Sequence, residues 1–279
     1  MLIAQLTDLH LTEEGGRSQN LVNTNEHFDK VIESLNALDV KPDVILMSGD
    51  IADDAHPQAY ARLRSRIADL PAPCFMVPGN HDDQALLRAC FPDYPGMAGD
   101  PHDPINFAID SYDVRLIGLD STVRNSHCGF LCKTRLEWLE QCLASQPDRK
   151  TLIFMHHPPF DTGIAEMDAY GLRGRSRTHF AELVARHPQV ARIICGHVHR
   201  PIHTLFAGVP TSIAPSIAFS QVLSLNTSNR PGLTLDASKY ELHLWNGTTF
   251  VSHVVSLEKQ SSAIPYPDSV PRSSVQVAR

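Results

Sequence analysis

The chain has 279 residues, 42% of them hydrophobic and 20% charged, the profile of a globular protein long enough to fold as one sizeable α/β domain. A formal charge of -7 excludes a surface built to track a long nucleic acid, which needs a basic stripe, but still allows a small anion beside bound cations. Six cysteines without a CxxC pair exclude a disulfide scaffold, and Met1-Leu-Ile-Ala enters the first apolar segment with no signal-like or membrane-spanning stretch, so the expected compartment is the cytoplasm.

Leu2 to Leu6 is an apolar strand that ends in Thr7-Asp8-Leu-His10. After a polar loop, Phe28, Val31, Ile32, Leu35 and Leu38 fall at helical spacing, with Thr24 or Asn25 as the expected N-cap. That helix returns to the strand Asp43 to Ser48, which stops at Gly49-Asp50, so the chain opens with a βαβ unit. A helix from Pro57 buries Tyr60, Leu63, Ile67 and Leu70, and the strand after it, from Cys74, ends in Gly79-Asn80-His81-Asp82.

A short helix is expected from Asp83 to Phe91, then a hairpin from Ile105 to Leu119, then an amphipathic helix from Lys133 to Ser145. The strand Leu152 to Met155 ends in His156-His157. Pro158 to Thr178 reads as a long loop of the kind that covers a site. Its Arg173, Arg175 and Arg177 are either solvated surface charges or grips for an anionic substrate. A helix from Thr178 to His187 leads to a strand ending in Gly196-His197-Val-His199. The rest is β-rich, with a hairpin signal at Asn246-Gly247. These elements form one expected domain, residues 1–257. The Ser/Pro-rich tail, 258–279, is expected to be disordered or laid on a partner subunit in a homo-oligomer.

Asp8, His10, Asp50, Asn80, His156, His197 and His199 all stand just beyond apolar strands, where an open α/β sheet holds its ligands. Mixed imidazole and oxygen donors suit divalent Mn, Fe, Co or Zn, and the lack of cysteine donors argues against a structural zinc site. Seven donors exceed what one ion with open positions needs, so two ions sharing Asp50 is the economical arrangement. Two ions about 3.5–4 Å apart can supply a bridging hydroxide and clamp both oxygens of an in-line displacement at phosphorus, which is phosphoester hydrolysis.

Thr7-Asp-Leu-His10, Ser48-Gly-Asp50, Gly79-Asn-His-Asp82, His156-His157 and Cys195-Gly-His-Val-His199 together resemble the signature blocks of the calcineurin-like metallophosphoesterase superfamily. Within it they look most like class III cyclic nucleotide phosphodiesterases and glycerophosphodiesterases. The resemblance implies a four-layer α/β/β/α sandwich of two mixed sheets. It also implies one ion on Asp8, His10, Asp50 and His199, and a second on Asp50, Asn80, His156 and His197. It makes His81 a phosphate contact or proton donor paired with Asp53, and Asn80 a substrate contact as well as a ligand. Asp54 stands where the Ser/Thr phosphatase branch has a phosphate-gripping Arg. That departure tilts the expected substrate from monoesters toward small phosphodiesters, 3′,5′-cyclic nucleotides first and glycerophosphodiesters second. His157 is expected to be structural, and His127 carries no motif.

Overall fold

The computed structural model describes residues 1–101, 103–226 and 232–258. The expected tail therefore lies outside the described residues, Glu258 excepted. The chain runs β1 (Leu2–Leu6), α1 (Thr24–Ala37), β2 (Val44–Ser48), α2 (Pro57–Arg66), β3 (Cys74–Val77), α3 (Gln84–Cys90), β4 (Phe107–Ile109) and β5 (Arg115–Gly118). It continues with α4 (Lys133–Ala144), β6 (Thr151–Phe154), α5 (Ala165–Asp168), α6 (Gly174–Arg186), β7 (Val190–Cys195), β8 (Ile202–Phe206), β9 (Val209–Ile213), β10 (Ser220–Gln221), β11 (Leu233–Thr234), β12 (Lys239–Trp245) and β13 (Phe250–Ser256).

One mixed sheet has the order β13-β12-β1-β2-β3, a second β4-β5-β6-β7-β9-β8, and β10 and β11 form a separate two-stranded sheet. The strand period of two explains the layers. Leu116, Leu152, Phe154 and Ile194 turn inward and pack with residues of β1, β2 and β3. Their neighbours Ile117, Ile153 and Ile193 turn outward and pack under α4 and α6 with Leu139, Leu143, Phe180 and Leu183. Strands apolar on both faces are what a doubly covered parallel sheet requires, and the expected mixed α/β architecture of two sheets with helices is the one observed.

Several boundaries differ from the sequence reading: α5 lies inside the expected long loop, and α2 ends at Arg66 with a 3₁₀ turn over Ile67–Asp69. Asn23 caps α1 instead of Thr24 or Asn25, accepting from the Glu26 N–H at 3.3 Å. The two displaced residues hold the first ligand loop: the Thr24 hydroxyl donates to the His10 carbonyl at 2.6 Å, and the Asn25 amide oxygen accepts from the Thr12 N–H at 3.2 Å. Likewise, α6 starts at Gly174, four residues earlier than expected, and the buried Ser176 hydroxyl in its first turn accepts the Leu131 N–H at 2.7 Å from the segment before α4. Last, β12 and β13 are joined by the four residues Asn246 to Thr249, with the Asn246 side chain accepting from the Thr248 and Thr249 N–H groups. All six cysteines are free, and no helix among the described residues is long and apolar enough to cross a membrane.

Candidate metal centre

Asp8 and His10 follow β1, Asp50 follows β2, Asn80 follows β3, His156 follows β6, and His197 and His199 follow β7. These strands are parallel within each sheet, so their carboxyl ends deliver all seven residues to one edge. Backbone pairing continues past the strands: the Asp8 N–H donates to the Gly49 carbonyl, the His10 N–H to that of Asp50 and the Gly196 N–H to that of His156, each at 3.0 Å. The approach is close enough to demand glycine. A Cβ on Gly79 would lie 2.1 Å from Asp50 Oδ1, and one on Gly196 would lie 2.0 Å from Thr7 Oγ1.

Asp8, His10, Asp50, His197 and His199 all adopt positive φ, between 46° and 75°. Such left-handed non-glycine backbone costs about 1–3 kcal/mol per residue and persists where the surroundings over-determine it. Its concentration on five of the seven expected donors marks this edge as the functional one.

Asp8, His10, Asp50 and His199 each place a donor atom within 4.8 Å of the others. Beside them, Asn80 Oδ1 lies 3.1 Å from His156 Nε2 and 2.9 Å from His197 Nδ1. Asp50 Oδ2 stands between the groups, 3.7 Å from His10 Nε2 and 3.3 Å from His156 Nε2.

The hydrogen-bond network assigns the tautomers. His10 Nδ1–H donates to Asp53 Oδ1 at 2.9 Å, His199 Nδ1–H to the Phe219 carbonyl at 3.1 Å and His156 Nδ1–H to the Ser48 carbonyl at 2.9 Å. Each ring thus turns its Nε2 into the site, as a bare lone pair on His10 and His199. There the His10 and His199 lone pairs face each other at 3.1 Å, and His199 Nε2 lies 3.2 Å from Asp8 Oδ1. His197 Nε2 is buried with no partner. Acceptors turned on acceptors repel unless cations lie among them, so the donor set fits divalent ions. The excess negative charge also shows in His156: burial pushes its pKa down, but Asp50 and Asp8 lift it to about 9, a proton serving where a cation would.

The structure corrects the expected His81–Asp53 side-chain pair. His81 Nδ1–H donates to the backbone carbonyl of Asp53 at 2.5 Å, while the Asp53 carboxylate accepts from His10 and, at 2.7 Å, from the Ser18 hydroxyl. Burial works against the His81 cation, yet Asp50 and the Asp53 carbonyl outweigh it and hold its pKa above the ordinary imidazole value. Asp82 rivets the two loops, accepting from the Ile51, Ala52 and Gly79 N–H groups and from the Tyr60 hydroxyl.

His157 is buried against His156 and His197, on the same side as both, with its nitrogens taken by the Ser121 hydroxyl and the His127 carbonyl. The expected turn away from the ligands is not what is seen: His157 packs beside them with both nitrogens hydrogen-bonded, and it forms with His156 and His197 a third group whose atoms lie close enough to hold a metal ion. Arg173, Arg175 and Arg177 do not line the cleft. Arg173 donates to the Ala169 carbonyl, Arg175 lies on the groove between α4 and α6, and Arg177 pairs with Asp161 at 2.6 Å, because the earlier start of α6 carries them outward.

The cleft has a volume of about 270 Å³ and is walled by Met167, Tyr170, His127, Phe219, Gln19 and Gln221 beside the ligand residues. The sequence reading passed over His127. Its Nδ1 lies 3.1 Å from Asn80 Nδ2 as the acceptor that turns Asn80 Oδ1 toward His156 and His197. Phe219 packs on His199 and His10, with ring centres 4.6 and 5.6 Å away.

Residues 1–201 match the model of the calcineurin-like phosphoesterase family. The chain belongs to that family. This calcineurin-like phosphoesterase is 32% identical over 272 residues to a probable glycerophosphodiester phosphodiesterase GpdQ of Arcobacter nitrofigilis, covering 96% of each chain. It is 33% identical over 214 residues to the 3′,5′-cyclic adenosine monophosphate phosphodiesterase CpdA of Escherichia coli K12, covering 77% of this chain and 75% of that protein. A dimetal phosphatase from Danio rerio shares its fold, with a TM-score of 0.60 at 12% identity over 92% of this chain and 98% of that one.

Proposed function

We propose that this phosphoesterase hydrolyses small phosphodiesters using two divalent ions. Asp8, His10, Asp50 and His199 would hold one, and Asp50, Asn80, His156 and His197 the other. The observation that carries this reading is the convergence of Asp8, His10 and His199 on one side and Asn80, His156 and His197 on the other around the Asp50 carboxylate, whose Oδ2 stands between them. Imidazole and carboxylate donors suit Mn, Fe, Zn or Co. Such a pair supplies Lewis acidity toward phosphoryl oxygens and an activated water at neutral pH.

The protein's own residues do the rest. His81, with Nδ1 fixed on the Asp53 carbonyl and its charged form favoured, offers Nε2 to a phosphoryl oxygen or to the departing alkoxide. Neither Arg nor Lys is among the residues lining the metal cleft, so a doubly charged monoester finds no guanidinium clamp there. Across Asn80 and His81 opens a second cavity of about 540 Å³, lined by Asp54, Asp83, Gln84, Arg124 and Asn125. Two cavities meeting at His81 can take the two substituents of a diester.

Glycerophosphodiesters gain support from a likeness that runs through the β-rich end of the chain, and 3′,5′-cyclic nucleotides from the likeness to CpdA. With Mn(II), the purified protein should cleave bis(p-nitrophenyl) phosphate much faster than p-nitrophenyl phosphate. A monoester preference would overturn the reading, and cyclic AMP against glycerophosphoethanolamine ranks the two classes. The free cysteines fit a reducing cytoplasm, and apolar residues exposed on β8 and β13, Leu205, Val251 and Val254, fit a homo-oligomer.

A further inference from the structure

Gln5 is fully buried in the middle of β1, three residues before Asp8, between the two sheets. Its amide nitrogen donates to the Ser48 hydroxyl at 2.8 Å and to the Cys195 carbonyl at 2.9 Å. Ser48 is two residues before Asp50, and Cys195 is two before His197. One side chain therefore ties together the ends of three ligand-bearing strands drawn from both sheets. Other links between the sheets at this edge run through the ligand residues themselves, as from His156 Nδ1–H to the Ser48 carbonyl and from the His197 N–H to the Asp8 carboxylate, whereas Gln5 joins the sheets without being a ligand.

Both amide hydrogens of Gln5 are used, which leaves Oε1 as an acceptor, and it faces His243 Nε2 at 3.0 Å. His243 must then carry its proton on Nε2 and accept at Nδ1, where the Ser252 hydroxyl stands at 2.7 Å. The Ser252 oxygen accepts in turn from Arg192 Nη2 at 3.0 Å, and the same nitrogen reaches the Ser212 hydroxyl at 2.9 Å. Each link of the relay pairs one donor with one acceptor, and the direction runs one way from Arg192 Nη2 to Gln5. The relay leaves β7 at Arg192, crosses to β13 and β12 of the other sheet, passes through β1 and returns to β7 at Cys195. His243 is fully buried, and burial with the nearby Arg192 charge pushes its pKa down to about 3, so it stays a neutral donor–acceptor ring. Glu241 Oε2 lies 3.5 Å from the same Nε2 and favours the same tautomer.

We propose that Gln5, His243 and Ser252 are positioning residues for the metal centre: the relay fixes the Gln5 amide so that it holds the Asp50 and His197 loops at ligand distance. Were the amide reversed, its oxygen would face the Cys195 carbonyl, and two acceptors would push β1 from β7. The inference rests on the two-ion reading above.

The test uses the full chain. Imidazole nitrogen-15 shifts should report the Nε2–H tautomer of His243, and the Nδ1–H tautomer would overturn the relay. Titration of metal-free protein with Mn(II) should show Ser252→Ala binding about tenfold more weakly and Ser252→Thr binding like wild type, since outer partners typically set metal affinity by 10–100-fold. Ser252→Ala removes one hydroxyl from an outer strand and keeps the test open if Gln5→Leu or His243→Phe does not fold. Variants that melt earlier yet bind Mn(II) as tightly as wild type would make the relay merely structural and overturn the proposal. A wild type that binds no divalent ion would instead overturn the two-ion reading, and this inference with it.

Discussion

Nε2 of His10 lies 3.1 Å from Nε2 of His199, and hydrogen bonds at the far side of each ring place a lone pair on both nitrogens. Two buried lone pairs at that distance make the metal-free site intrinsically unfavourable. Chelation should therefore lower Tm as well as abolish diester hydrolysis, and Mn(II) or Zn(II) should restore both. At a free ion concentration 100 times Kd the stabilisation is about 2.7 kcal/mol per site. Thermal melts with and without chelator check this, and coincident curves would contradict the assignment.

Asp53 serves His10, so its loss should be felt as metal affinity. Asp53→Ala should weaken Mn(II) binding by roughly 10–100-fold, the usual effect of removing a carboxylate that orients a ligand histidine. The pH dependence of kcat at saturating metal should move only slightly, toward lower pH, because the His81 ring is held by the Asp53 backbone, which the variant keeps, and loses only the smaller contribution of the Asp53 charge. A strongly shifted pH profile at unchanged metal affinity would return Asp53 to a side-chain partnership with His81.

The site was legible in the sequence to the extent that it is local. Each donor ends an apolar run, and small residues such as Ser48-Gly49 and Pro78-Gly79 mark the turn that presents it. Two sheets could be read for the same reason, since Leu152 to Met155 and Ile193 to Cys195 are apolar at consecutive positions, as doubly buried strands are. What stayed hidden is whatever tertiary contact decides. His127 and Phe219 sit in polar or irregular stretches with no periodicity around them, and only the folded loops bring them beside Asn80 and His199. The first turn of α6 is of the same kind: Ser176 and its flanking arginines have the composition of a loop, and only the fold buries the Ser176 hydroxyl as acceptor of the Leu131 N–H.

The arginines of the expected flap give a prediction opposite to the one their composition invites. Replacing Arg173, Arg175 and Arg177 with Ala should leave KM for a small diester within about twofold. The stability cost from the exposed Arg177–Asp161 pair should be about 0–1 kcal/mol. Steady-state kinetics decide this, and a large rise in KM would mean that the α5–α6 segment closes over substrate.

His81 is the group whose loss should depend on the leaving alcohol. An alkoxide must be protonated as it departs, whereas p-nitrophenolate need not be. His81→Ala should cost about 10²–10⁴ in kcat with a glycerophosphodiester, the usual contribution of a general acid, and far less with bis(p-nitrophenyl) phosphate. A limb of the kcat–pH profile that reports the His81 proton should be present in the wild type and vanish in the variant. Equal losses on both substrates would assign His81 to phosphate binding alone.

Glu241 should make stability depend on pH independently of the metal site. It is fully buried between the sheets, and burial lifts its pKa to about 7 from an ordinary 4.5, an effect that the nearby Arg192 charge and the Ser212 hydroxyl offset only in part. His203 and His243 face it from β8 and β12 at 3.7 and 3.5 Å. The folded state holds this proton more tightly than the unfolded chain does. The contribution is therefore complete below pH 4.5 and is lost as pH rises through 7, by roughly 3 kcal/mol in all. Glu241→Gln keeps the shape and cannot ionise. Melts of chelated protein at pH 5, 6.5 and 8 should show the variant gaining on wild type as pH rises, because ligand titrations are common to both and cancel. Parallel curves would mean that Glu241 is already ionised and compensated by Arg192 throughout the range.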